Sequence, residues 1–472
     1  MRRLTFSFCF LCLSIFSFGQ DKWDLRKCVE YALQNNISVK QADLQIRFAK
    51  LDLQQSKWNQ YPFVNLSNNT GYSAGRNQDP TTFSLITTGY VFSNYTLQSS
   101  VDLFNWFTKK NSVIAKDLNL KATEAGIDKA KDDVALNVAV AYLQILLANE
   151  QTTLARIQVD QTRAQLESTK KQVDAGKLPE LNAANLESVL ATDSANLVAA
   201  ETNVHQLTLQ LKAILNLDPA VPFEVETPAV NMIPVESLAD LQPEAVYQLA
   251  LVNRPQQKAD NLSLKAAQKN VEVARGSMYP TFSLFGSLGA SYNNKSKKVV
   301  GKSFNPPIGL VNISGTDYTV FSLRPGEVVG DFPYFDQLNQ NFRQSVGFSV
   351  SVPILNGGSL RAGWERSKLN VRQVELQKEL NSTTLKQDIY KAYYDATAAI
   401  QKFNANKKTV ETSERAYDFA RKRYDVGLLS SYDLITTQTT LLQAKSNLIY
   451  SQYDYLFKIK LLEFYKGQGL KL

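Results

Sequence analysis

The sequence predicts a mainly α-helical chain with a small β part. Residues 107–173 contain no proline and a single glycine, Gly126, which is typical of one long helix. Short segments elsewhere alternate apolar and polar residues, as strands with one apolar and one polar face do. The same series of patterns occurs twice along the chain, which indicates an internal duplication.

The helical stretches predict two long hairpins. They would join residues 107–173 to 180–215 and residues 360–424 to 432–465. At 1.5 Å per residue, a helix of about 65 residues spans roughly 100 Å, so it needs packing partners along its whole length. The intervening segments 174–179 and 425–430 each contain a glycine, which suits the left-handed residue that ends a helix. Each segment is therefore predicted to be the tip of a coiled-coil hairpin.

Two alternating segments are predicted in each half of the chain. In the first half both lie within residues 62–103, after a predicted helix over 27–57, and in the second they are 282–292 and 342–354. Aromatic residues near the ends of these segments could belong to the core of a soluble sandwich, but the alternation favours a girdle at a lipid interface. They are Tyr72, Tyr90, Phe92, Tyr292 and Phe342.

The duplication rests on short matches that stay in register. Ala32-Leu33-Gln34-Asn35 recurs as Ala250-Leu251-Val252-Asn253, and Tyr61-Pro62 recurs at the same spacing as Tyr279-Pro280. Beyond this point the spacing grows by 33 residues, and Gly176-Lys177-Leu178 matches Gly427-Leu428-Leu429. Each match alone is weak, but together they predict a longer loop between Pro280 and Val352 in the second copy.

These patterns divide the chain into four parts. Arg2 and Arg3 before an apolar run predict a secretory signal peptide over residues 1–19. The first structural repeat is predicted over 20–217 and the second over 243–472, each with a helix, two strands and a long helical hairpin. Between them, the prolines of residues 218–242 exclude a helix or a central strand and indicate a linker.

Composition argues against catalysis. The chain has one histidine, His205, and three cysteines, Cys9, Cys12 and Cys28, so we expect neither a metal site nor a histidine-based catalytic triad. The carboxylates are spread along the helices without a clustered pair, and no cofactor is expected. The formal net charge is +8, but no basic stripe with interleaved aromatic residues points to a nucleic acid.

Four strands pose a burial problem for a secreted chain. They are too few to close a membrane barrel, because single-chain barrels begin at about eight strands, and this excludes a self-contained porin. Several chains that pooled their strands would solve the problem and would also give the long helices neighbours. The residues alone therefore predict a symmetric oligomer with a β-barrel in a membrane and a helical tube below it.

The chain resembles the TolC-type outer-membrane efflux proteins over essentially its whole mature length. The resemblance rests on Trp23, Leu25, Val29, Ala32-Leu33 and Asn35-Asn36, and on Tyr61-Pro62 before the first strand. It also rests on Asn105 and Asn356-Gly357-Gly358 after the second strand of each pair, and on the two tip segments. No single motif is very specific, but their order and duplication are.

The resemblance implies a homotrimer in the outer membrane of a Gram-negative-type bacterium. Three chains with four strands each would close a trimeric transmembrane β-barrel against outer-membrane lipid, and the hairpins would form an α-barrel through the periplasm. Such a duct serves tripartite efflux or type I secretion. It passively conducts solutes and works with a periplasmic adaptor protein and an inner-membrane pump.

The resemblance also implies a gate near the hairpin tips, held shut by polar contacts and lined by acidic rings. By position, Tyr424 matches the closing tyrosine and Asp433 a constriction aspartate. Asn182 and Thr436 stand where further acids are expected, and Leu429 stands where an arginine is expected. We therefore expect a thinner acidic ring and a gate held by neutral hydrogen bonds.

The same resemblance implies that an adaptor hairpin docks tip to tip on the periplasmic end. The candidate docking residues are Gly176, Leu178, Gly427, Leu428 and Leu429. The alternative is that these residues are ordinary helix caps. For the whole chain, the alternative function is a periplasmic adaptor, which also carries a coiled-coil hairpin, although the duplicated plan disfavours it.

Overall fold

A computed structural model describes residues 22–78, 83–226 and 236–467. The predicted signal peptide, residues 1–19, lies outside the described residues, as does part of the predicted linker. The helices in the described residues are α1 (Leu25–Asn35), α2 (Ile37–Trp58), α3 (Thr108–Asp174), α4 (Glu180–Leu215), α5 (Pro243–Asn253), α6 (Pro255–Gly276), α7 (Tyr334–Gln340), α8 (Ser359–Asp425) and α9 (Ser431–Tyr465). The strands are β1 (Phe63–Gln78), β2 (Leu85–Phe104), β3 (Thr281–Asn293), β4 (Lys297–Lys302), β5 (Pro307–Ile313), β6 (Thr316–Phe321), β7 (Glu327–Asp331) and β8 (Arg343–Ser351).

The two halves of the chain hold helices of matching length. Helices α1 and α2 have 11 and 22 residues, as do α5 and α6. Helices α3 and α8 both have 67 residues, and α4 and α9 have 36 and 35. The predicted long helices are therefore present, with ends within a residue or two of the sequence-based bounds.

The predicted helix over 27–57 is wrong in one respect, because the structure divides it at Asn36. This residue is extended, with φ −61° and ψ 133°. Its side chain accepts a hydrogen bond from the Ser38 amide at 2.8 Å and donates one to the Ile214 carbonyl at 2.8 Å. Asparagine competes well for such local bonds, so it ends one helix and caps the next. In the second half, the break falls at Arg254, before Pro255.

The chain forms two compact units, and the first contains the main hydrophobic cores. It comprises the described parts of residues 1–50, 118–265 and 372–472. One core joins α1 to the middle of α3, the end of α4 and part of α9, with Ile145, Leu146 and Leu211 among its fully buried side chains. A second core joins α5 to α8 and α9. Packing across these helices supplies the lateral partners that helices of this length require.

The second unit contains the main sheet and comprises residues 51–117 and 266–371. Strands β1, β2, β3 and β8 form an antiparallel sheet in that order, with β1 and β8 at the edges. Val101, Leu284 and Phe348 pair side by side in one row, whereas Gln98, Ser287 and Ser345 pair in another. Because side chains alternate along a strand, the rows place an apolar and a polar face on opposite sides.

The sequence missed part of the β structure. Strand β8 ends at Ser351, not at 354 as predicted, because Pro353 has no N–H to donate to a ladder. The longer loop of the second copy is not featureless: β4 pairs with β7, β5 pairs with β6, and α7 follows. The estimate of about four strands therefore holds for the main sheet only. Within the predicted linker a short 3-10 helix spans Leu238–Asp240, and Pro243, directly after the linker, opens α5.

In the parts of the chain that the structure describes, no helix combines the length and the apolar character that crossing a membrane requires.

Cys28 is fully buried on α1, and we expect this burial to lower the reactivity of its thiol. Burial, aided by the nearby Asp24 carboxylate, raises the pKa of its thiol to about 12. Since the thiolate is the nucleophile, and a free thiol has a pKa near 8.5, we expect alkylation at pH 8 to be slowed about 10³-fold in the folded protein. Iodoacetamide labelling of a Cys9→Ser/Cys12→Ser variant, with and without urea, checks this. Equal labelling rates in both conditions would contradict it.

Candidate gate at the hairpin tips

Both hairpin tips use the same turn. Gly176 and Gly427 adopt left-handed conformations, with φ of 69° and 74°. In each tip the glycine amide donates to the carbonyl three residues back, and the next amide donates to the carbonyl five residues back, at 2.8 to 2.9 Å. These two bonds define a Schellman motif, which satisfies carbonyls at the end of the helix. The backbone therefore favours glycine here for the turn itself.

The second helix of each hairpin begins differently. Ser430 caps α9, since its hydroxyl accepts a hydrogen bond from the Asp433 amide at 3.1 Å and donates to the Asp433 carboxylate at 2.7 Å. The Ser430 hydroxyl thus satisfies one backbone amide at the start of the helix, and an acid in the first turn also suits the helix dipole. Helix α4 follows Pro179, which supplies no side-chain cap. Asp433 is exposed and contacts its own helix end only, among the hydrogen bonds of the described residues.

A hydrogen bond joins the starts of α4 and α9. The Ser431 hydroxyl is buried and donates to the Asn182 amide oxygen at 3.1 Å. Beside this contact, Leu166, Ala183 and Leu186 form a small buried cluster that also packs against Ile435 of α9. The two hairpins are thus tied to each other at their tips by one polar contact backed by apolar packing.

A second polar contact ties α3 to the end of α8. The hydroxyls of Thr169 and Tyr424 lie 3.1 Å apart, and the two side chains are 0% and 4% exposed. Both groups are neutral, so the contact carries no charge. A buried hydroxyl without a partner costs about 1–3 kcal/mol, so separating the two helices here is unfavourable unless water enters.

A polar cluster follows on the same side of α3. The buried Asp193 carboxylate of α4 accepts hydrogen bonds from Thr162 at 2.7 Å and from Gln158 at 3.4 Å. Sequence reasoning missed Thr169 and this cluster. The available signal is spacing, because Gln158, Thr162 and Thr169 are polar residues four and seven positions apart on one helix face.

The structure does not bring all the predicted gate residues together. Tyr424 and Asn182 each contact another helix, whereas Asp433 and Thr436 bond within α9. The Thr436 hydroxyl donates to the Tyr432 carbonyl one turn back, and the side chain is exposed. Leu429, where an arginine was expected, is half-buried. Near these residues, burial raises the pKa of Tyr417, with a further upward contribution from Asp425.

The predicted docking residues form a largely open apolar surface. Leu428 is 69% exposed, and a side chain added at Gly176 or Gly427 would meet no atom within 4 Å. Leu178 is half-buried, like Leu429. The helix-cap alternative describes the backbone of both glycines well, but a cap does not require the exposed leucine beside it.

No group of three or more His, Cys, Asp or Glu side chains that could hold a metal ion occurs among the described residues.

Sequence comparison places most of the chain in one family. The profile of the family described as "Outer membrane efflux protein" matches residues 28–217 and 246–463. Toxin and drug export protein A of Aggregatibacter actinomycetemcomitans is 23% identical over 436 residues, which cover 91% of this chain and 84% of that protein. Outer membrane protein TolC of Escherichia coli strain K12 is 25% identical over 372 residues, which cover 76% of this chain and 65% of TolC.

Solved structures share the fold. CusC superposes with a TM-score of 0.76 at 17% identity, covering 94% of this chain and 92% of CusC. VceC from Vibrio cholerae gives a TM-score of 0.71 at 17% identity, covering 95% of this chain and 97% of VceC. These structures confirm the predicted fold class of long helices with few strands. The comparisons give no support to the alternative of a periplasmic adaptor.

With the family profile matching both halves and the fold shared over nearly the whole chain, the protein belongs to the outer membrane efflux protein family and is a TolC-type efflux channel protein of the Gram-negative outer membrane.

Proposed function

We propose that three copies of the chain form one passive exit duct for a tripartite efflux or type I secretion system. The observation that carries this proposal is the main sheet, which has one apolar face and whose edges, β1 and β8, pair with no further strand of the described residues. Edge strands left unpaired promote association, and closure into a barrel removes them. Three sheets joined edge to edge would close a barrel whose apolar face meets lipid and whose polar face lines the pore.

Two aromatic clusters support a membrane position for the sheet. At one end, Tyr334 of α7 packs against Tyr292 with 4.7 Å between the ring centroids, and its hydroxyl lies 2.8 Å from that of Tyr95. At the other end, Trp106 packs against Tyr279 and Phe104 at 4.8 and 5.3 Å. About ten residues of β3 separate the two ends, which matches the 9–11 residues that a tilted strand needs to span a bilayer.

Two residues at the Trp106 end of the sheet have strained, left-handed backbone conformations. Trp106 and Phe107 have φ of 51° and 61°, a conformation that costs roughly 1–2 kcal/mol for a residue with a side chain. The Trp106 indole N–H compensates by donating to the Pro280 carbonyl at 2.9 Å. This turn sets tryptophan and phenylalanine side by side where β2 meets α3, as expected at a membrane interface.

The periplasmic end of the duct is proposed to contain the gate. Tyr424 and Asn182, with their partners Thr169 and Ser431, would hold it shut through neutral hydrogen bonds. Asp433 would supply one carboxylate per chain to a constriction ring, and Thr436 would supply none. This assignment rests on the buried hydroxyl pair of Tyr424 and on the family match of both hairpins.

The hairpin tips are proposed to dock a periplasmic adaptor protein that connects the duct to an inner-membrane pump. The exposed Leu428 and the open space at both tip glycines support this role. The pump would supply the energy, so the duct itself would have no catalytic step. The matching helix lengths support a first repeat over 20–217 and a second over 243–472, joined by the linker 218–242.

Removal of the Asp433 carboxylate is expected to weaken block of the pore by multivalent cations. In planar-bilayer recordings, Asp433→Asn should raise the blocking concentration, because the ring loses all its charges, while Thr436→Asp should lower it by adding one charge per chain. Asp418→Asn is the matched control, since Asp418 is an exposed acid on α8 that pairs with Lys422. Unchanged block in Asp433→Asn would remove Asp433 from the constriction.

The proposed function is tested by the state of the protein in its own membrane. The native chain, extracted from outer-membrane fractions in detergent and measured by light scattering, should have the mass of three chains. Cells without it should lose export of the pump's substrate and regain it on complementation. A monomer that leaves the membrane in high salt without detergent would overturn the proposal.

A further inference from the structure

The segment between β3 and β8, residues 294–342, is here called the insertion and contains an unusual amount of exposed apolar surface. Its two ribbons, β4–β7 and β5–β6, pair only with themselves among the described strands. Phe304 and Leu323 are 98% and 97% exposed. The β5–β6 ribbon adds further exposed apolar side chains, namely Ile308, Leu310, Ile313, Tyr318 and Phe321. Isolated two-stranded ribbons are marginally stable in water, so this surface calls for a cover.

Helix α7 fixes the insertion to one end of the main sheet. The Gln337 side chain is buried and pairs with the backbone of Asn293, accepting from its amide at 3.0 Å and donating to its carbonyl at 3.1 Å. Asn341 donates to the Ser291 carbonyl at 2.8 Å. These amide side chains replace the backbone of a strand along the last residues of β3. The ladder between β3 and β8 therefore ends at Arg343, the first residue of β8, and the two amide side chains hold the insertion beyond that point.

A similar contact ends the pairing between β2 and β3. Asn294 accepts from the Val91 amide through its side chain at 2.8 Å and donates its own amide to the Val91 carbonyl at 3.0 Å. Beyond this point β1 and β2 continue as a hairpin of two strands, residues 71–78 and 85–92, here called the outer hairpin. Among the described strands, none pairs with the β1 edge of the outer hairpin, and on its β2 edge only Val91 and Phe92, at the base, contact Asn294 and the end of β3.

Strand lengths show that an edge-to-edge neighbour leaves part of β1 uncovered. Strand β1 has 16 residues and β8 has nine. Whatever their register, at least seven residues of β1 have no partner on the β8 strand of an adjoining copy. Each such unpaired edge offers N–H and C=O groups to another chain segment.

We infer that the insertion of each copy packs against the outer hairpin of the adjoining copy, so that three insertions form a collar around the pore exit. This inference rests on the proposed trimer. The insertion leads directly into β8, the edge that faces the next copy's β1, and α7 holds it at the level where β8 begins. The segment of the next copy at that level is the outer hairpin, whose edge is free. The contact therefore continues the interface between sheets.

The collar would cover the apolar ribbons and the β1 edge at the same time. Lipid is a poorer occupant, because the insertion follows the tyrosine cluster of Tyr95, Tyr292 and Tyr334 on the side away from the bilayer span. Lipid and unrelated proteins are nevertheless outcomes that the experiment distinguishes.

Photo-crosslinking at Tyr72 tests the collar directly. Tyr72 lies on the outer hairpin, and Leu66 lies on the same strand and, by alternation, on the same face, and both are 70% exposed. A benzophenone amino acid at position 72 of the full chain, irradiated in outer membranes, should give adducts of two chains that map to residues 294–342. The same group at position 66 should give no adduct with that segment. Adducts within one chain, to lipid, to another protein, or none at position 72 would overturn the collar.

A variant with a shortened insertion tests the collar independently of trimer formation. The Ser303 amide donates to the Gly326 carbonyl at 2.7 Å, so residues 304–325 can be replaced by a short glycine-serine turn without opening the β4–β7 ribbon. The variant should keep the mass of three chains, because β1 and β8 are intact, but lose heat resistance in SDS and lose most of the Tyr72 adduct. A trimer with unchanged heat resistance and adduct would contradict the collar, whereas a wild-type monomer would contradict the proposed function.

Discussion

Replacing Gly427 by tryptophan is expected to abolish export while trimers still reach the outer membrane. Space around this glycine is open, so a large side chain meets no atom of its own chain and projects from the tip. If an adaptor hairpin docks there, the indole prevents its close approach. The readout is export of the pump's substrate by cells that carry the variant at wild-type levels.

Alanine at the same position is the matched control. Both substitutions place a side chain at a φ of 74°, which costs about 1–2 kcal/mol for residues other than glycine. This cost is small beside the packing of helices of 67 and 35 residues, so both variants should fold. Only tryptophan adds bulk. Normal export by Gly427→Trp, or equal loss in Gly427→Ala, would contradict docking at this tip.

Replacing Thr169 by valine is expected to raise the open probability of the channel. Valine matches threonine in shape but leaves the buried Tyr424 hydroxyl without its 3.1 Å partner. The penalty for a buried unsatisfied hydroxyl is about 1–3 kcal/mol, and every 1.4 kcal/mol changes an equilibrium tenfold. Water that reaches Tyr424 in the open form would satisfy the hydroxyl, so the closed form is selectively destabilised. Planar-bilayer recordings measure the change in open time.

The double variant Thr169→Val/Tyr424→Phe provides the sharpest control. It removes both hydroxyls, and replacing both partners of a buried hydrogen bond by apolar groups is often nearly neutral. We therefore expect its open probability to fall back toward the wild-type value. Tyr424→Phe alone should have the smaller effect of the two single changes, because a helical threonine can donate to a carbonyl one turn back. A double variant more open than Thr169→Val would contradict a gate held by this pair.

The long helices could be predicted from the sequence because their signals are local. Absence of proline, the glycine at each tip and the duplication define α3, α4, α8 and α9 closely. The tip turns follow from one rule, that a left-handed residue at a helix end favours glycine. The break at Asn36 was harder to predict, because the local bond to the Ser38 amide is joined by one to a distant acceptor, the carbonyl of Ile214, which no local pattern reveals.

The partners of the candidate site were harder to predict. The family resemblance pointed to Tyr424 through its position before a tip glycine, but its partner Thr169 lies 255 residues away along the chain. Such a contact depends on which helices pack together, and the polar spacing of Gln158, Thr162 and Thr169 along α3 does not say which helix lies opposite. The ribbons of the insertion were missed for a related reason, since short strands that pair only with one another lack the long alternation of the main sheet.

The central claim is that the chain forms a passive duct through the outer membrane. Reconstitution of the purified native oligomer into planar lipid bilayers, without adaptor, pump or nucleotide, tests it most directly. A passive duct should give discrete channel openings in the wild type and longer openings in Thr169→Val. A wild-type oligomer that inserts into the bilayer but conducts no ions, together with a silent Thr169→Val variant, would contradict it.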